Sequence, residues 1–168
     1  MARKTFKFRL YPNRQQRDRL TATLEVCREL YNAALQERIG AWKSRTAVRV
    51  FDQINQLPAI KQIRPDLAGV FSQVLQDTLG RLDKTYKAFF GRVQRGQKAG
   101  FPRFKGRHRY DSFTYPQSGF ALSSKLQLSK IGNVKIKQHR EIVGEIKTLQ
   151  GQAGRKPKQW RRTVQAGT

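Results

Sequence analysis

The chain has one cysteine, one methionine, two histidines and only 11 acidic residues among 168. A lone Cys27 excludes an intramolecular disulfide and a multi-cysteine zinc site, and it suits a reducing compartment. His108 and His139 stand far apart in sequence with no Cys or acidic cluster beside either. Both read as surface residues, and no metal centre is expected. No stretch approaches the roughly 18 to 20 consecutive apolar residues that cross a bilayer, and MARKTFKFRLYP lacks the apolar block of a secretory signal. The expected location is cytoplasmic and nucleoid-associated, without a membrane partner. There is no phosphate-cradling glycine loop and no Ser/His/Asp constellation, so neither a cofactor nor a small-molecule substrate is expected.

What the chain does have is positive charge. Its 35 Lys and Arg give a net charge of +24 and a pI near 11.3, and ten Phe, five Tyr and two Trp make it too aromatic for a wholly disordered basic tail. A charge this large repels itself, so the expected partner is a polyanion: nucleic acid first, with an acidic membrane surface as the competitor. Residues 1–83 hold 15 basic and 8 acidic side chains, and residues 84–168 hold 20 and 3. The excess therefore lies in the C-terminal half, where Asp111, Glu141 and Glu145 are the only acids.

Phe6, Phe8 and Leu10 alternate with Lys7 and Arg9, the period of a half-buried strand. Asn13 with Gln16 marks a helix start, and Leu20, Leu24, Cys27, Tyr31, Ala34 and Ile39 form an amphipathic stripe over 14–43 that ends at Trp42. Ser44 to Ala47 reads as a turn. Val50, Phe51, Ile54 and Leu57 then predict a shorter helix interrupted near Pro58. From Ser72 to about Gln94, steps of three and four through Leu75, Leu79, Leu82, Tyr86, Phe89 and Val93 give the cleanest helical signal, with Arg81, Lys84, Lys87 and Arg92 on the other face. After Gly96 short alternating runs at 126–128, 134–136 and 142–148 predict strands, with Gly132-Asn133 as a hairpin turn. The order of strand, helical insert and strands gives an α+β fold in which the first strand pairs with the later ones. The final GQAGRKPKQWRRTVQAGT shows no periodicity and is expected to be disordered.

The run from Phe101 to Tyr115 is the best nucleic-acid candidate. It interleaves Phe101, Phe104, Tyr110, Phe113 and Tyr115 with Lys98, Arg103, Lys105, Arg107 and Arg109, so cations can meet phosphate while rings stack on bases. The competing reading makes each aromatic part of the small sheet's core, at about even odds. Ser72, Gln73 and Gln76 open the last helix, where base-edge contacts usually lie, although ordinary solvated residues are the commoner outcome. Arg14, Arg17, Arg19, Arg28 and Arg38 read as a face balanced by Asp18, Glu25, Glu29 and Glu37. Cys27 reads as core, since no nearby His would activate it. Glu141 and Glu145 fit one helix face, but two carboxylates without a third make a poor metal site, so no catalytic residue is assigned.

KTFKFRLYPNRQQ, CRELYNAALQERIGAW, SQVLQDTLGRLDKTYKAFF and GFPRFKGRHRYDSFTYPQ, in this order, resemble the N-terminal part of the TnpB (OrfB) proteins of bacterial insertion sequences, relatives of the type V CRISPR effectors. The resemblance covers about residues 1–148. It implies an RNA-guided DNA endonuclease whose N-terminal region is a wedge β-barrel, with a first strand at 1–13, an inserted helical recognition domain at 14–98 and the remaining barrel strands at 99–150, followed here by a basic tail at 151–168. It also implies guide-type RNA and duplex DNA as partners. Recognition of a short motif beside the target would fall to Ser72, Gln73, Gln76, Ser112 and Thr114, with Lys7, Arg9, Lys84, Lys87, Lys98, Arg103, Phe104, Lys105, Arg107 and Arg109 as further nucleic-acid contacts. In the family a RuvC-like domain with three acids and an inserted Cys cluster follows. This sequence runs instead into the divergent tail, so the expectation is a recognition fragment without its own nuclease centre, any nuclease half lying in another chain. The alternative is a stand-alone helix-turn-helix DNA-binding regulator.

Overall fold

Strand β1 (Arg3–Tyr11) buries Phe8 and Leu10 and exposes Lys7 and Arg9, as its alternation predicts. The computed structural model describes residues 3–154 and 160–167. Asn13 then starts α1 (Arg14–Lys43): its side chain accepts from the Gln16 amide at 2.8 Å, and the Gln16 side chain accepts from the Asn13 amide at 3.1 Å. This reciprocal box satisfies two of the donors that a helix start leaves open. Leu20, Leu24, Cys27, Tyr31 and Ala34 are buried along one stripe, but Ile39 is half-buried and Trp42 is 80% exposed. The packing gives out before the helix does.

Helix α2 (Val50–Ile63) runs straight through Pro58, where the sequence suggested a break. Pro58 is solvent-exposed while Leu57 is buried and Ile54 and Ile60 pack on the core, so tertiary contact on the inner face outweighs the missing N–H. A single turn, α3 (Pro65–Ala68), leads into α4 (Ser72–Gln94), whose bounds are those predicted. Its first half buries Val74, Leu75, Leu79 and Leu82 completely. Its second half does not follow, for Phe90 and Val93 are about half exposed.

The remaining strands are β2 (Ser112–Tyr115), β3 (Phe120–Leu122), β4 (Lys125–Leu128), β5 (Gly132–Lys137), β6 (Glu145–Ala153) and β7 (Trp160–Gly167). With β1 they form one antiparallel sheet in the order β2-β6-β7-β1-β5-β4-β3, curled into a half-barrel. The first strand does pair with later ones, Leu10 lying opposite both Ile136 and Trp160. One continuous core joins the inner faces of α1, α4 and the sheet.

Three expectations about the sheet need correction. The hairpin turn between β4 and β5 is Ser129–Ile131, with Lys130 in the left-handed region at φ 69°, and Gly132 already belongs to β5 opposite Leu128. The strand expected over 142–148 begins at Glu145 and extends to Ala153, its position fixed by β2 on one side and β7 on the other. Most importantly, the tail expected to be disordered supplies the end of β6 and all of β7, while residues 155–159 of it lie outside the described residues. A strand hydrogen-bonded along both edges fills its backbone groups whatever its side-chain pattern, so the weak periodicity of 160–167 was no bar.

Candidate nucleic-acid interface

The segment after α4 is a tethered loop. Helix α4 ends in a Schellman motif: Gly96 takes φ 67°, its amide donates to Val93 O at 3.0 Å, and the Gln97 amide donates to Arg92 O at 3.0 Å. Eight residues on, Asn32 of α1 clamps the loop, its Nδ2 donating to Lys105 O at 2.9 Å and its Oδ1 accepting from Lys105 N at 2.8 Å. Arg28 adds a third bond from Nη1 to Lys105 O at 3.3 Å, while its other donors grip Glu25. The hydrogen bond from Arg28 holds the Glu25 carboxyl below its ordinary titration range, and the charges of Arg107 and His108 act in the same direction. Thus fixed, the loop turns at Gly106, which accepts from the Arg109 amide at 3.0 Å, and leaves Lys98, Arg103, Phe104, Arg107 and Arg109 exposed. None of these cations takes part in an ion pair among the described residues.

The run therefore divides. Phe101 and Phe104 are about half exposed, whereas Tyr110, against α1 and α4, and Phe113 and Tyr115, in β2, are core residues. Burial pushes the Tyr110 hydroxyl up to about 12 and raises that of Tyr115 as well, so neither ionises near neutral pH. Ser112 and Thr114, between the buried rings, are turned toward α4. Arg81 donates from Nη1 to Ser112 O at 2.7 Å and from Nη2 to Thr114 Oγ1 at 2.6 Å, and its Nε reaches Asp77 at 2.8 Å. Arg81, expected on the outer face of the helix, is thus a strut between α4 and β2. Lys105, Arg109 and Ser112 meet around a small cleft that Tyr31, Arg81 and Asp111 also line.

At the start of α4, Ser72 accepts from Lys61 Nζ at 2.7 Å, and Gln73 accepts from the Ser118 amide at 3.3 Å. Gln76 is exposed and makes no hydrogen bond among the described residues. Lys84 is exposed too, and Lys87 pairs with Asp83 at 2.9 Å. Lys7 and Arg9 lie on the outer face of β1, remote in sequence from the loop. Here the sheet adds cations that the sequence did not single out: Lys137 stands opposite Arg9, and Lys135 opposite both Tyr11 and Lys125, all of them exposed. Like charges directly opposed across a ladder weaken it, so this face favours an anion laid over it. Lysines at every second position, 135 and 137, were the available signal.

The balanced face on α1 holds in part: Arg28 pairs with Glu25, and Arg38 pairs across to Asp83 at 3.2 Å. Cys27 is buried, which pushes its thiol up to about 11 and removes it as a nucleophile. Glu141 lies in a loop and Glu145 opens β6, so they do not share a helix face. Among the described residues no three His, Cys, Asp or Glu side chains come together, and no helix is long and apolar enough to cross a membrane.

Residues 1–46, which are β1, α1 and the turn after it, match the family model HTH_OrfB_IS605, described as a helix-turn-helix domain. Over 150 residues the chain is 31% identical to "Putative RNA-guided DNA endonuclease InsQ" of Escherichia coli K12, covering 86% of this chain and 36% of that protein. Over 124 residues it is 28% identical to a "Putative RNA-guided DNA endonuclease" of Streptomyces pristinaespiralis, covering 70% of this chain and 29% of that protein. The chain spans about a third of the length of these curated relatives.

Proposed function

The chain belongs to the OrfB/TnpB family, and on that premise we propose that it grips guide-type RNA and target-adjacent duplex DNA, without a nuclease centre among these residues. The observation that carries the reading is the loop 101–109: its backbone is held on α1 by Asn32 and Arg28 while its arginines project without acidic partners. A loop so held loses little further entropy when phosphate binds, and each contact releases condensed counterions. The outer face of β1 and β5, through Lys7, Arg9, Lys135 and Lys137, offers a second set of cations. Target reading falls to Gln76 at the exposed start of α4, with Ser72 and Gln73 beside it. Ser112 and Thr114 act mainly by fixing β2 to Arg81. Cleavage would need clustered carboxylates, which we place outside this region, in a further segment or another chain.

The test is competition binding with the full chain. Preference for structured RNA from the transposon end over duplex DNA of equal charge is the expected result. Tight binding to one duplex sequence with no response to RNA overturns it in favour of a DNA-binding regulator.

A further inference from the structure

Beyond the phosphate contacts, the far end of the helical region holds a groove of about 670 Å³ between the C-terminal halves of α1 and α4 and the start of the loop. Its walls are Trp42, Tyr86, Phe89, Phe90 and Phe101. Phe101 meets Tyr86 and Phe89 edge-on at 5.8 and 5.5 Å, so the rings are braced against one another although Trp42, Phe90 and Phe101 are half exposed or more. The groove thus gathers three of the chain's exposed aromatic rings, Trp42, Phe90 and Phe101, on one surface.

Polar groups converge on the groove as well. The Arg38 side chain is only 9% exposed, lies over the Tyr86 ring at 5.2 Å, and spends Nε on Gln53 and Nη1 on Asp83. Its Nη2 is the one buried side-chain nitrogen or oxygen among the described residues without a hydrogen-bond partner. Such an unmet donor destabilises the free chain, a cost that a carbonyl oxygen reaching it would remove. Lys43 and Lys87 stand at the rim, and Asp83 is already held by Arg38 and Lys87.

We infer that this groove is a binding site for an unstacked nucleobase of a single strand, the ring stacking on the aromatic walls, a base carbonyl accepting from Arg38, and the flanking phosphates lying on Lys43 and Lys87. A protein segment would also suit apolar walls. A nucleobase suits all three features together: flat faces, an acceptor for a buried guanidinium, and anions at a cationic rim. The site rests on the polyanion grip proposed above and adds base contact to it.

Trp42 makes the test direct, because the other tryptophan, Trp160, is buried. The full chain is titrated with oligothymidylate, with oligouridylate and with an abasic strand of equal length and charge, while tryptophan emission is followed. The base-bearing strands quench Trp42, and the abasic strand does not and binds more weakly. Phe90→Ala, at an exposed position that leaves folding intact, lowers affinity for the base-bearing strands by roughly 5- to 100-fold without changing abasic binding. Trp42→Phe removes the signal. Quenching by only the ribo or only the deoxy strand still supports the site and identifies its source. Equal binding of base-bearing and abasic strands with unchanged emission overturns the base site and leaves the phosphate reading standing. Failure of every strand to bind overturns both.

Discussion

Residues 101–109 and 110–115 adjoin and are both rich in aromatics, the first with Arg103, Lys105, Arg107 and Arg109 among its rings and the second with Asp111, Ser112 and Thr114, and the rings of the two stretches have opposite fates. In the second stretch Tyr110, Phe113 and Tyr115 are between 1% and 8% exposed, and in the first Phe101 and Phe104 are about half exposed. Period two separates them. Phe113 and Tyr115 alternate with Ser112 and Thr114 in a strand whose other face meets Arg81, whereas Pro102 and Gly106 deny the first stretch any ladder. The rings of this run stay open to a partner only where its backbone is anchored by something other than a sheet, as Asn32 anchors Lys105.

The largest break in this comparison is Phe113→Ala, which opens a cavity at a side chain in contact with Tyr115 and Trp160 and should cost about 3–5 kcal/mol in a denaturant melt. Phe104→Ala should change stability by less than about 0.5 kcal/mol while weakening nucleic-acid binding. Gly151, opposite Phe113 in β6, is the next site: an added Cβ would stand 2.8 Å from the Phe113 ring, so Gly151→Ala should cost about 1–3 kcal/mol in the same melt. Asn32→Ala removes two hydrogen bonds to the loop and should cost about 1–2 kcal/mol, with faster amide exchange at Lys105. The smallest effect is pH-dependent. Arg28 holds Glu25 below the ordinary carboxylate range, so its contribution is present above the unfolded value and is lost as pH falls through the folded one. The loop's exchange protection should therefore weaken only in acid below the ordinary carboxylate range, and Glu25→Gln should abolish that dependence.

Much of the helical region was legible because its signals are local and repeated. The capping pair Asn13 and Gln16, and stripes running over about five turns, fixed α1 and α4 at the predicted bounds. The sheet was less so. β7 is held by ladders on both edges, and nothing in 160–167 alone announces two neighbours. Pro58 misled because its cost is borne by packing at Leu57. Of the interface, the exposed cations of the loop were evident from composition. The commitment of Ser112 and Thr114 to Arg81, and the convergence of Arg38 with Tyr86 and Phe101, join residues more than thirty positions apart and could be seen only in space.

The central claim is that the anchored half of the run meets phosphate. Its most direct test is the salt dependence of duplex binding for the chain carrying Arg103→Gln, Arg107→Gln and Arg109→Gln together. Each lost phosphate contact lowers the slope of log affinity against log salt by about 0.9, so the slope should fall by roughly 2 to 3 with the melting curve unchanged. A slope equal to that of the unaltered chain would contradict it.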